Sequence, residues 1–171
     1  SREVYELRRE MGQGHARDFL TVGAMGHAGM IALGIARERP DIPVWCLDGD
    51  GAALMHLGGL AVEGALGGGN LRHVVLHNGA HESVGGMPVA GGRLSFAALA
   101  QEMGFHPCLE ARDAGGLARA LDALAAGGKG PVFLDILLAQ GARENLGRPD
   151  IPPRENLAGL MAHLGGGEGG A

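Results

Sequence analysis

The sequence is poor in the features that mark several large protein classes. It has only two cysteines; Cys46 and Cys108 each lie in an apolar segment, which reads as two core thiols in a reducing, cytoplasmic setting and not as a disulfide framework. No apolar run approaches the roughly 20 residues needed to span a bilayer, and the charged start SREVYELRRE is no signal peptide. A net charge of −5 and a pI near 5.9 leave no basic footprint for nucleic acid. The GxGxxG and GxxxxGK[ST] signatures of nucleotide sites are missing, no histidine pair has zinc-ligand spacing backed by cysteine, and no internal repeat is present. A soluble protein is what these absences lead one to expect.

What is present is a chain of 171 residues, 46% hydrophobic, enough for one domain with a proper core. Residues 1–164 are expected to form that domain and the glycine-rich residues 165–171 a flexible tail. The 33 glycines mark turns more than low complexity. The first residue is Ser and not Met, which fits a processed chain or one cut from something longer.

The organising stretch runs from Trp45 to Met87. Val44–Leu47 is an apolar run of strand length that ends in Asp48-Gly49-Asp50-Gly51, so a strand delivers an acid into a glycine-lined turn. Leu54, Leu57, Leu60, Ala61 and Leu66 then recur at helical spacing, and a second strand, His73–Leu76, leads to His77-Asn78-Gly79. In a parallel sheet the two strand ends share one edge, where open α/β folds bind ligands. Asp50 and Asn78 can there converge on a hard cation such as Mg²⁺ shared with phosphates. The flanking glycines and the terminus of the following helix would let backbone N–H groups approach those phosphates.

With GDG followed by Asn78 at this spacing, the sequence resembles the thiamine diphosphate enzymes. ARDFLTVGAMGHA, LDGDGAALMHLGGLA, LRHVVLHNGAHESVGGMP and GPVFLDILLAQGARENLGRP place the resemblance with the cofactor half of the 2-oxo acid decarboxylases, nearest the phosphonopyruvate branch, with the sulfopyruvate branch as near relative. The resemblance implies thiamine diphosphate and Mg²⁺ as cofactors. It implies Asp50, Asn78 and Ala80 as the metal set, and Gly23, Met25, Gly49, Asp50, Gly51, Ala52 and Asn78 as the cofactor contacts. By the same resemblance Gly23 accepts from the aminopyrimidine, while Met25 wedges under the bend between the rings or simply packs in the core.

His27 and His81 flank the expected site as proton donors or as hydrogen-bonding spacers. His15, with Arg17 and Asp18, contacts either the substrate's anionic group or a partner. His56, His73, His106 and His163 read as surface residues. Two positions depart from the family pattern: His77 stands in place of asparagine and Met87 in place of glutamine. The glutamate that activates the pyrimidine belongs, in this family, to a separate domain, and neither Glu63 nor Glu82 has its context. The resemblance therefore implies a companion pyrimidine-binding subunit in a hetero-oligomer, with a small 2-oxo acid as substrate. A nucleotide- or phosphate-binding module without chemistry and a non-catalytic structural or regulatory subunit that keeps the cofactor fold are the alternatives from other classes.

The rest of the chain alternates helix and strand. Helices are expected at Arg2–Met11, His27–Arg39, Ser95–Gly104, Leu117–Ala126 and residues 156–164, and strands at His106–Glu110 and Pro131–Leu138. HESVGGMPVAGG reads as a loop, and the proline- and charge-rich stretch beyond Gly141 as a wrap over the surface or a partner. The alternation predicts an α/β fold, a doubly wound parallel sheet with helices on both faces.

Overall fold

The computed structural model describes residues 1–90, 94–141 and 143–165; the expected tail beyond Gly165 lies outside them. Its elements in chain order are α1 (Arg2–Glu10), α2 (Ala28–Glu38), β1 (Val44–Gly49), α3 (Asp50–Met55), α4 (Leu57–Leu66), β2 (Leu71–His77), β3 (Ala80–His81), β4 (Met87–Pro88), α5 (Phe96–Glu102), β5 (Cys108–Ala111), α6 (Ala114–Ala126), β6 (Val132–Leu137) and α7 (Pro153–Gly165). They fall into two compact units, one of residues 25–141 and one that joins the first 24 residues to those after 142.

The larger unit is built on a four-stranded sheet in the order β1-β2-β6-β5, parallel throughout. Side chains alternate across a strand, and on β2 the consequence is plain. Val75 packs with Leu60 of α4, Phe96 and Ala100 of α5, Phe105 and Phe133. Its neighbour Val74 packs on the opposite face with Ala120 and Leu124 of α6, Val132 and Leu134. Leu71, on the same side as Val75, meets Cys46 and the inner residues Ala32, Leu33 and Ala36 of α2. Helices therefore cover both faces, as the alternation of elements predicts.

Local chemistry sets the helix ends. The Ser95 hydroxyl accepts from the Ala98 N–H at the start of α5, and the Asp113 carboxylate accepts from the Gly116 N–H at the start of α6, each satisfying a donor the helix leaves open. At the other end of α6 the buried Arg72 of β2 donates to the carbonyls of Leu124 and Ala125. A cation there matches the negative end of the helix dipole.

The structure departs from the sequence reading at two elements and one residue. The helix expected after Gly51 breaks at His56 into α3 and α4. Of its five apolar markers Leu60 is buried, whereas Ala61 and Leu66 face outward. HESVGGMPVAGG is not a plain loop: β3 and β4 pair antiparallel across a short 3-10 turn at Glu82–Val84, while Gly91 and Gly92 lie outside the described residues. His73, expected at the surface, is 1% exposed.

In the smaller unit α1 turns Tyr5 and Glu6 inward. The Tyr5 ring stacks on His15 at 3.9 Å between centroids and its hydroxyl donates to Asp150. Asn156 of α7 ties the segment before it at both ends of its amide, accepting from the Leu20 N–H and donating to the Asp18 carbonyl.

Candidate functional site at the ends of β1 and β2

Parallel pairing of β1 with β2, Gly49 against Leu76, brings the residues that follow the two strands side by side. Asp50 opens α3 and is 2% exposed. One carboxylate oxygen accepts from its own neighbour's N–H, Gly51, at 2.8 Å, and the other accepts from the Gly79 N–H at 2.7 Å. The second bond staples the two strand tips together. Gly79 makes it with φ +71°, a left-handed conformation that other residues adopt only at a cost. On the neighbouring tip the Asn78 amide oxygen accepts from the Ala80 N–H at 3.0 Å and its nitrogen donates to the Glu82 carboxylate at 3.2 Å.

These residues border a cavity of about 280 Å³ whose wall includes Met25, Gly49, Asp50, Gly51 and Ala52 together with Leu76, Asn78, Ala80, His81, Glu82 and Ser83. The His81 ring lies against Gly51, where a Cβ would stand 2.1 Å from the ring carbon Cε1. A side chain at position 51 would thus displace the imidazole. Of the residues the sequence singles out, Met25, Gly49, Asp50, Gly51, Ala52, Asn78, Ala80 and His81 line this one space. His27 is not among its lining residues; its ring lies 4.1 Å from that of His56. Gly23, with φ +71°, belongs to the smaller unit.

Two details were not legible beforehand. The Gly49 and Gly51 N–H groups, expected to face phosphate, are held by the carboxylates of Asp48 and Asp50, the residues just before them. And His77, the departure from the family pattern, has a partner of its own. Its Nδ1 lies 3.2 Å from the carboxylate of Asp135 on β6, and its Nε2 lies 4.0 Å from the nearer Asp50 oxygen. Phe96 packs edge-on against the ring, 5.1 Å between centroids, and donates its own N–H to Asp135. Burial pushes the Asp135 carboxyl up from its usual range, and His77 pulls the other way.

Beneath the turn a second polar group is sealed between β1, β2, α2 and α4. His73 Nδ1 pairs with Glu63 at 2.7 Å, and Nε2 faces the Cys46 sulfur at 4.0 Å. Burial alone would lower the His73 pKa, but Cys46 and Glu63 beside it reverse that and hold it at about 10. Burial pushes the Cys46 thiol up, while the neighbouring His73 pulls it down. One sequence signal could have revealed the pair. Glu63 is the only Asp, Glu, Lys or Arg between Asp50 and Arg72, and a lone charge in an apolar helix calls for a buried partner.

A parallel sheet with polar residues paired at its carboxyl edge defines an α/β protein with the edge at which such folds bind ligands. The chain belongs, more particularly, to the thiamine pyrophosphate enzymes, C-terminal TPP-binding domain, whose family model matches residues 4–136. It is 39% identical over 158 residues to a phosphonopyruvate decarboxylase of Streptomyces viridochromogenes, covering 91% of this chain and 37% of that one. It is 38% identical over 106 residues to the sulfopyruvate decarboxylase subunit beta of Methanothermobacter thermautotrophicus, covering 62% of this chain and 54% of the relative. The chain thus spans little more than a third of the Streptomyces protein. The thiamine diphosphate-dependent 4-hydroxybenzoylformate decarboxylase of Rhodococcus jostii RHA1 shares the fold, with a TM-score of 0.56 at 20% identity over 68% of this chain and 24% of that one.

Proposed function

We propose that this chain is the diphosphate-binding half of a thiamine diphosphate- and Mg²⁺-dependent 2-oxo acid decarboxylase, converting phosphonopyruvate to phosphonoacetaldehyde and CO₂, with a companion subunit completing the active site. The observation that carries the reading is the convergence of Asp50, Asn78 and Ala80 on one cavity at neighbouring strand tips. Carboxylate, amide and backbone oxygens are the donors a hard cation takes, so the residues present fit Mg²⁺. Without the metal a carboxylate beside a diphosphate would repel it.

When bound, the cofactor supplies the electron sink that decarboxylation of a 2-oxo acid requires. The chain's own tasks are narrower. Asp50 and Asn78 hold the metal, Ala52 and the glycines leave room for the diphosphate, and Met25 offers an apolar wall. His81 is the histidine placed for proton transfer, since it lines the cavity; His27 packs against His56 instead.

The companion is supported by what α4 turns outward. Gly58, Ala61, Val62, Ala65 and Leu66 are exposed while Glu63 is buried, and a helix apolar on every side is normally covered. The name "subunit beta" on the Methanothermobacter relative fits a divided enzyme and favours sulfopyruvate as the second reading. A cytoplasmic setting agrees with two free cysteines and with no described helix being long and apolar enough to cross a membrane.

Calorimetry with thiamine diphosphate and Mg²⁺ tests the site: the wild-type chain is expected to bind, and Asp50→Ala to abolish the metal-dependent part. Unchanged binding in that variant would reject the assignment and leave a structural subunit. CO₂ release from phosphonopyruvate, sulfopyruvate and pyruvate, measured with the companion added, then ranks the substrates.

A further inference from the structure

Asn78 stands between a group that can only donate and a group that can only accept. The Ala80 N–H faces its amide oxygen at 3.0 Å, and the Glu82 carboxylate receives its amide N–H at 3.2 Å. An amide held this way has one orientation, because turning it over would set N–H against N–H and oxygen against carboxylate. Glu82 is itself anchored: the same carboxylate oxygen accepts the Gly141 N–H at 2.7 Å, just past β6. Both Asn78 and Glu82 border the cavity that holds Asp50.

We propose that Glu82 is a positioning residue that fixes the Asn78 amide with its oxygen, and not its NH₂, available to the bound cation. The inference rests on the reading of Asp50 and Asn78 as metal ligands and adds a role for a side chain that no sequence motif marks. The physical basis is the difference between the two ends of an amide. The oxygen has a second lone pair to offer a metal, whereas the NH₂ end repels one. An ionised acceptor on the NH₂ makes a stronger bond than a neutral one and draws electron density toward the oxygen. Partners that orient metal ligands in this way typically change affinity by about 10- to 100-fold when removed.

The test is Mn²⁺ binding to the chain in the presence of thiamine diphosphate, followed by electron paramagnetic resonance. Glu82→Ala is expected to weaken Mn²⁺ by about 10-fold, while Glu82→Gln, whose amide oxygen can still accept from Asn78, retains most of the affinity. An orientation role vanishes where the ligand has two equivalent oxygens. In an Asn78→Asp background Glu82→Ala is therefore expected to cost nothing, or to tighten binding by removing a like charge. If Glu82 acted only through its charge, Gln would be as poor as Ala; if it only stitched the turn to Gly141, the Ala variant would lose equally in both backgrounds. Either result overturns the proposal. Mn²⁺ affinity that falls in Asp50→Ala but not in Glu82→Ala overturns this role alone, whereas a wild type no better than Asp50→Ala overturns the site with it.

Discussion

At the scale of the residue, much of the chemistry consists of polar groups that satisfy one another out of reach of water. His73 and Glu63 are the clearest pair, each with about 2% of its side chain exposed. The sign of their pH dependence follows from the raised histidine pKa. The folded protein holds the proton up to about pH 10 while the unfolded chain releases it near the ordinary value of about 6.5. The pair's stabilising contribution is complete below the unfolded value and is lost as pH rises through 10. Thermal melts from pH 6 to pH 10.5 are expected to show a decline that sets in above about pH 6.5 and levels off near pH 10, and that His73→Gln largely removes. Asp50 and Asn78 were legible from sequence because each ends an apolar run and precedes a glycine. Asp135, 58 residues from its partner His77, was not, since only the β2–β6 pairing brings the two together.

Among the elements, length decided what could be read. Strands β1, β2 and β6 are runs of six or seven residues with unmistakable apolar character, and the helices around them carry clear periodicity or caps. The two-residue strands β3 and β4 have no period to detect, and the break at His56 leaves no proline to announce it. Glycines in α4 have an element-scale role that propensity alone would misjudge. A Cβ on Gly64 would stand 1.9 Å from the Met103 carbonyl oxygen at the end of α5, so the glycine sets how closely the two helices approach. Gly64→Ala, which favours the helix by propensity, is nevertheless expected to destabilise the fold by about 1–3 kcal/mol through overpacking. Urea denaturation would measure the change, and a stabilised variant would show that the helices separate freely.

For the whole molecule, the sequence conveyed the sheet class, helices on both faces and the site's edge, because these follow from alternation and strand polarity. Strand order β1-β2-β6-β5 needed the structure, as no local pattern says that β6 inserts between β2 and β5. The exposed face of α4 yields a prediction at this scale. Val62 is 39% exposed, so Val62→Glu is expected to shift the melting of the isolated chain little, while the proposed CO₂ release with the proposed companion falls at least 10-fold. Full activity in that variant would place the companion elsewhere.

The all-round apolar character of α4 also changes which mutations a lineage can carry. Ordinary solvent-facing positions accept lysine or glutamate in passing, and drift accumulates there. Here the outward residues Gly58, Ala61 and Ala65 leave little room for bulk if another helix nests on them, and the inward Glu63 cannot change without stranding an imidazolium in oil. Random mutagenesis scored for growth would then show tolerance reversed along this helix, with its wet side more restricted than a surface normally is.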